Sequence, residues 1–593
     1  MRTGMQWVIG LFCISVGAQA SVHDHLFAND FDVPPDAPAN ANEAARFLTQ
    51  ATFGPTPADI AHVMAVGYGE WIDEQLGRIA THGGPTVAAV VDARTAAIAN
   101  VNQQQRLNRF FWQAVYAPDQ LRQRMAFALS QISVVSDASS AINQDIVPMA
   151  YYQDLLADDA FVPYRKLLDD ATYSPTMGKY LNTYRNLKPS ATTSPDENYA
   201  REVMQLFSIG LILRNADFSP VLDGANNPIP TYDQSVITHT AKVFTGFTYA
   251  DAPTGSGPPS YTGVNFYGGG LTYVAQASRM ACWGTELAPP LWYAPPTHDQ
   301  TRHDLTGDNG TIGGGDPKVV LANQPIPSGQ TCAQDVADEL DIIAAHQNVA
   351  PFISRQLIQR FVTSNPSPAF IRRVASVFDS SNGDLGDVIK AILLDSEARN
   401  PPAPGLADAY GKLREPVLRL TALWRAFNAV APVPDAYGEI KMIGSGGFAG
   451  NFAQAPLESP TVFNFYLPDY QQPGTFADNG LYSPELQITN ESTTYTAAGR
   501  YYDFIANAYQ GMTTPPVDRP LIDLSTLVAN LGTPTAVADT LNTKLLYGTM
   551  STNMHTVITN LVGGAFSASA TPQEKAWSAL YVTVLSPEFA TQR

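Results

Sequence analysis

The residues most able to do chemistry lie in one stretch, 194–210, which reads SPDENYAREVMQLFSIG. At 100° per residue, Glu197, Asn198, Arg201, Glu202 and Gln205 fall on one helical arc of about 140°. Tyr199, Val203, Leu206 and Phe207 occupy the opposite side. The catalytic reading makes Glu202 an acid/base, with Arg201 and Asn198 positioning a substrate. A carboxylate pair in glycoside hydrolysis needs a defined separation, which spacing along a chain does not supply. The structural reading starts from the helix end: Ser194 as N-cap, Pro195 in the first position and Glu197 three after the cap, a capping box that accounts for Glu197. Glu197 and Arg201 are also spaced as an i,i+4 pair. Asn198, Arg201 and Glu202 would suit a buried network with Arg124 and Gln131, which share a face of another helix. Both readings stay open.

A second constellation is His298-Asp299, followed by Arg302-His303-Asp304. Two imidazoles five apart, each beside a carboxylate, could hold zinc or another divalent ion. No HExxH or comparable spacing supports it, and Pro295-Pro296 places it in a loop. Residues 304–316, DLTGDNGTIGGGD, and 379–384, DSSNGD, offer oxygen ligands for calcium without EF-hand spacing. Asp384 is more simply a helix N-cap. His239 reads as a packed histidine, and His346 as part of a cap between two helices. GxSxG, P-loop and dinucleotide fingerprints are absent, so serine hydrolase and nucleotide chemistry lose support. Loop aromatics, among them Trp283, Trp292, Phe463, Tyr466 and Tyr470, suit sugar stacking or ordinary packing.

The chain of 593 residues must position these groups. It is 45% hydrophobic and 15% charged, as a folded globular protein is. A formal net charge of -19 argues against nucleic-acid or anionic-membrane binding. Residues 1–20 read as a secretory signal: Arg2, a short apolar run over 7–16, and Ala18-Gln19-Ala20 as cleavage site. The expectation is an exported chain, periplasmic or extracellular, with no membrane span after signal cleavage. Export leaves Cys282 and Cys332 as an even pair in an oxidising compartment. One disulfide would close a loop of about 50 residues, worth about 4 kcal/mol in the chain-entropy model.

Periodicity sets out the organisation. Residues 21–40 form a flexible arm, 41–250 an N-terminal helical region, and 251–335 an irregular Gly- and Pro-rich insertion with room for short strands, pinned by the disulfide. Residues 336–430 form a second helical region, 431–490 an irregular Pro- and Gly-rich segment, and 491–593 a C-terminal helical region. Helices are predicted at 333–345, 350–363, 368–378, 384–394 and 413–427. Residues 118–136, apolar on several faces, form a central helix. The fold class is mainly α, a multi-helix orthogonal bundle carrying that insertion.

Several stretches carry a family resemblance. They are Ala45-Arg46-Phe47-Leu48 through Gly54-Pro55-Thr56, Leu121-Arg122-Gln123-Arg124 through Gln131, and Asp196-Glu197-Asn198-Tyr199-Ala200-Arg201-Glu202. Further ones are His346-Gln347-Asn348-Val349 through Ser364-Asn365-Pro366-Ser367, Lys412-Leu413-Arg414-Glu415-Pro416, and Ser459-Pro460-Thr461-Val462-Phe463-Asn464-Phe465-Tyr466. In these the chain resembles the bacterial family known as domain of unknown function 1800. The resemblance implies an exported, mainly helical protein and names no reaction. Members often accompany exported sulfatase-like proteins, which implies a shared envelope or polysaccharide pathway. Two departures stand out: Ser174 where relatives commonly have a histidine before Pro-x-Met-Gly, and His298-Asp299 with His303 where they show His-Glu and a lysine. The functional expectation is a non-catalytic envelope or secretion-associated factor binding a glycan or an exported protein partner. The alternative is an enzyme acting on an envelope or extracellular polysaccharide through Glu202.

Overall fold

The computed structural model describes residues 36–189, 192–249, 280–282, 317–400, 409–444 and 447–593. The expected signal, nearly all of the arm and the His298–Asp299–His303 group lie outside these residues, as does the side chain of Cys282. The protein is mainly α-helical. Among the described residues, strand is confined to three two-stranded antiparallel ladders: Phe247–Tyr249 with Met280–Cys282, Lys318–Val319 with Pro325–Ile326, and Lys412–Leu413 with Thr591–Gln592. Two of them use residues from the predicted insertion, so its described parts do carry short strands.

Local signals set the helix ends. Thr56 caps Pro57–Val66 in a reciprocal box with Asp59, and Gly67 ends it at φ 90°. Asp384 accepts the Asp387 N–H and so caps Leu385–Leu394, as its sequence position implies. Thr331 caps Cys332–Ala344 in a box with Gln334, and Ser367 caps Pro368–Ser380. The helix predicted over 413–427 begins later, at Pro416, because Lys412 and Leu413 pair as a strand with the far end of the chain.

Two large apolar cores result. The first draws on residues from Ala44 to Leu457 and the second on residues from Phe53 to Phe589. The helix Gln120–Leu129 lies between them. Leu121, Met125 and Leu129 enter the first core, while Phe127 turns to the second against Phe53 and Phe110. An apolar surface on several sides is what a helix needs when both its neighbours are cores. The turn over residues 52–57 makes the same crossing, from Ala51 in the first core to Phe53 in the second.

Gly54 sits in that turn at φ 125°, and a Cβ there would lie 2.4 Å from the Cα of Ala422. Neither backbone can withdraw without opening the seam. Gly54→Ala is therefore expected to cost at least about 2 kcal/mol, read as a lower denaturation midpoint in urea.

Candidate functional site

The helix carrying the predicted catalytic arc is shorter than its sequence suggests, Asn198–Gln205. Ser194 does not cap it and Pro195 precedes it, so the capping box is overturned. Glu197 is the N-cap residue and makes no side-chain cap. The cause is tertiary. The Asp196 N–H donates to Asn186 Oδ1 at 2.8 Å, while Asp196 Oδ1 accepts the Asn198 N–H at 2.9 Å. Glu197 is taken up by the following helix, Gln234–Val243: Gln234 Nε2 donates to Oε2 at 2.9 Å and Thr238 Oγ1 to Oε1 at 3.1 Å. Arg201 Nη2 reaches the same carboxylate at 3.2 Å. Glu197 is thus explained by a helix–helix joint.

The other three residues part company. Asn198 is exposed and Arg201 half-exposed toward Glu197. Glu202 turns inward and is 8% exposed. Its Oε2 is buried without a hydrogen-bond partner. Burial raises its carboxyl above the usual range, with Arg201 opposing. Burial, with Glu202 adding to it, pushes the phenols of Tyr180 and Tyr232 up to about 12. Burial of a carboxyl in this way shifts it in the direction a general acid requires.

Arg124 and Gln131 do not join this group. They belong to a different cluster, sealed at the centre of the molecule, where four of the motifs converge. Gln131 Nε2 and Gln454 Nε2 each donate to Glu415 Oε2 at 2.8 Å. Tyr466 OH donates to Gln131 Oε1 at 2.9 Å. Lys412 Nζ lies 3.5 Å from Glu415 and 3.0 Å from Glu485, and donates to the carbonyls of Gln359 and Arg360. Arg124 donates to the Arg360 carbonyl at 2.6 Å and stacks 4.5 Å from the Phe361 ring. Burial alone would raise Glu415, but Lys412, Arg124 and Arg360, with the Gln454 hydrogen bond, hold its carboxyl below the ordinary range. With Glu415 0% and Arg124 1% exposed, this is a joint and not a site open to substrate.

An open site lies elsewhere. A cleft of about 660 Å³ is walled by Arg214 and Asn215, by Asp341, His346 and Gln347, and by Asp379 and Asn382, with Tyr164, Pro351 and Phe378 among its apolar lining. His346 is half-buried, and burial lowers its pKa, so the ring is neutral near pH 7. Its Nδ1 accepts the Asn348 N–H at 3.1 Å, which leaves Nε2 as the protonated nitrogen. Asn348 fixes the cleft wall: Nδ2 donates to the carbonyls of Ile209 and Ile212, and Oδ1 accepts the Arg214 N–H. Residues 346–348 lie between two helices as the sequence reading has it, but Asn348 makes no side-chain cap to the following helix, its amide being spent on the cleft wall; that His346 also faces a cleft was not legible from spacing. Glu202 does not line this cleft.

His239 is a packed histidine, its Nδ1 2.8 Å from the Val319 carbonyl. Among the described residues no group of three or more His, Cys, Asp or Glu side chains is placed to hold a metal.

Glu415→Gln tests the joint. Because the folded-state pKa is depressed, this carboxylate contributes stability above the ordinary glutamate pKa and loses it as pH falls through the folded value. The variant is expected to lose about 3–5 kcal/mol at neutral pH and to lack the corresponding acid-side decline, both read from urea melts across pH.

Compared with known families, the chain matches the model described as "Protein of unknown function (DUF1800)" over residues 46–591. No curated protein and no solved structure matches it.

Proposed function

Since the chain belongs to the DUF1800 family of proteins of unknown function, a membership that assigns no reaction, we propose its function from its clefts: it is an exported, non-catalytic envelope or secretion-associated factor that binds a glycan. The observation that carries this is the lining of the 660 Å³ cleft. Amides, carboxylates, guanidinium groups and one neutral imidazole alternate around apolar surface. Sugar hydroxyls both donate and accept, and such mixed planar groups satisfy them. The concave shape favours a small ligand segment over a flat protein partner. Export rests on the signal-like pattern of residues 1–20. Among the described residues no helix is long and apolar enough to cross a membrane.

The Cys282–Cys332 disulfide belongs to the same proposal, since export exposes the pair to oxidation. Its support is positional. Cys332 Sγ lies 3.7 Å from the Thr245 carbonyl, and Cys282 pairs in register with Phe247, two residues further on. Alkylation of the denatured, unreduced exported protein should leave both residues unlabelled; labelling of either would remove the pin.

A second reading, an enzyme acting on an envelope or extracellular polysaccharide, is favoured by one observation, the unpartnered and raised carboxyl of Glu202. One calorimetric series separates the two. Titration with a panel of neutral envelope and exopolysaccharide oligosaccharides should give binding without turnover, weakened at least tenfold by His346→Ala and unchanged by Glu202→Gln. Product release by the wild type that a folded Glu202→Gln protein lacks would replace the binding reading with the enzymatic one. Absence of binding by every oligosaccharide in the panel would end it.

A further inference from the structure

A second cleft, of about 690 Å³, opens where the start of the Ala41–Ala51 helix, the turn at Tyr547 and residues 587–593 meet. It shares no lining residue with the first. Its charge is met within the chain: Arg46 donates to a terminal carboxylate oxygen of Arg593, and Glu43 and Glu588 stand in the same wall. A surface of another kind lies on the helix Glu491–Ile505 and its neighbour Pro572–Val584.

Two tyrosines of the first helix face solvent, Tyr495 at 82% exposure and Tyr502 at 40%. They are seven residues apart. At 1.5 Å and 100° per residue, that sets them about 10.5 Å apart along the axis and within about 20° of one another around it. Gly499 lies on the same face between them, and a Cβ there would meet nothing within 4 Å. Its backbone is helical, so neither conformation nor packing calls for glycine, which a helix interior disfavours relative to alanine. Bare backbone between two outward rings lets a flat ligand lie down on the helix.

Tyr502 is held in place from the neighbouring helix. Trp577 meets it edge-to-face with ring centroids 5.5 Å apart, and Tyr581 does so at 5.8 Å. The Tyr581 hydroxyl donates to the Ala498 carbonyl at 3.1 Å. Trp577 and Tyr581 are themselves half-buried, with part of each ring at the surface. The result is a rigid aromatic platform with hydroxyl edges, which binds at low cost in conformational entropy.

Charge separates the ligands that could use it. Between Tyr495 and Tyr502 the helix has one charged residue, Arg500, and it is turned away, reaching Asp503 at 3.2 Å and the Ile443 carbonyl at 2.9 Å. The platform is thus neutral in a chain of net charge -19, whose field repels a polyanion and leaves an uncharged ligand unaffected. A sugar ring has the matching form, an apolar C–H face bordered by hydroxyls. The spacing selects the linkage. In an extended β-1,4-linked chain alternate rings present the same face, and that two-ring repeat matches the separation of Tyr495 and Tyr502.

We infer that this platform is a docking surface for a neutral β-1,4-linked polysaccharide, with alternate sugar rings on Tyr495 and Tyr502 and the chain crossing Gly499. It uses no residue of the cleft at His346, and either can fail without the other.

The test uses the full exported chain carrying His346→Ala, which removes binding at the cleft. The probes are the β-1,4-linked hexaoses of glucose, mannose and N-acetylglucosamine, beside the α-1,6-linked hexaose of glucose, whose rings do not fall in line. In calorimetry at least one β-1,4 hexaose should bind, and the α-1,6 hexaose at least tenfold more weakly. Tyr495→Ala and Gly499→Leu, each added to that chain, should weaken binding at least tenfold. Both positions face open solvent, so the urea midpoint should hold for Tyr495→Ala and hold or rise for Gly499→Leu. A second measurement uses the wild type alone: the bound hexaose should protect Tyr495 from nitration by tetranitromethane, read by peptide mass spectrometry. Failure of all three β-1,4 hexaoses to bind, equal binding of the α-1,6 hexaose, undiminished binding by either folded variant, or binding without protection of Tyr495 would each overturn the assignment. So would a dimer in sedimentation that Tyr495→Ala dissolves, which would give the platform to a second copy of the chain.

Discussion

Glu415 is a carboxylate without solvent, and the cations gathered round it fix how distant parts of the chain meet. Lys412 comes from its own segment, Arg124 from the central helix and Arg360 from the helix Val349–Phe361. Gln131 and Tyr466 close the remaining side. Each charge alone would be prohibitive at this depth. Together they satisfy one another only when four segments stand in a single relative arrangement. Hydrophobic burial would tolerate small slides between helices, whereas a hydrogen-bonded charge cluster does not. The two apolar cores meet along this line, and Phe127 and Met125 on the same helix carry each core away from it.

Both clefts are consequences of how elements meet. The 660 Å³ cleft forms where the end of one helix, at residues 344–347, faces the end of another, at residues 378–383, with Asn348 bracing the wall. The 690 Å³ cleft forms where residues 587–593 cross the beginning of the Ala41–Ala51 helix. Loop and terminal groups can be polar there because the helices behind them already supply the stability. This division separates the sealed polar cluster from the cleft groups, which present donors and acceptors outward.

Much of the helical layout was legible because its signals are local. Thr56 with Asp59, Gly67, and Asp384 with Asp387 mark helix ends within a few residues. The apolar surround of Leu121, Met125, Phe127 and Leu129 identified a central helix. The start of the helix at Asn198 was misread because Asp196 and Glu197 are held by Asn186, Gln234 and Thr238, partners that a capping rule does not see. The start at Pro416 was misread for the same kind of reason, since the strand at Lys412 exists only through its pairing with Gln592. Arg399 gave no signal: one arginine after Ser396-Glu397-Ala398 reads as an ordinary helix end, and its burial against Phe47 and Tyr68 is invisible along the chain.

By itself the sequence determined the family, the mainly helical class and, to within two residues, the bounds of the helices Cys332–Ala344, Val349–Phe361, Pro368–Ser380 and Leu385–Leu394, because periodicity and capping are properties of neighbouring residues; the central helix, expected over 118–136, stops at Leu129. It marked some of the polar groups of the joint and the clefts, Arg124, Gln131 and His346 among them. Only the tertiary structure decided which of them form a joint and which face a cleft. Arg124 meets the carbonyl of Arg360 across 236 residues, and Glu202 lies apart from both Arg124 and Gln131. A charged group takes its role from its solvent access and from the charges within a few ångströms of it. Those are set by contacts between segments that sequence spacing does not relate.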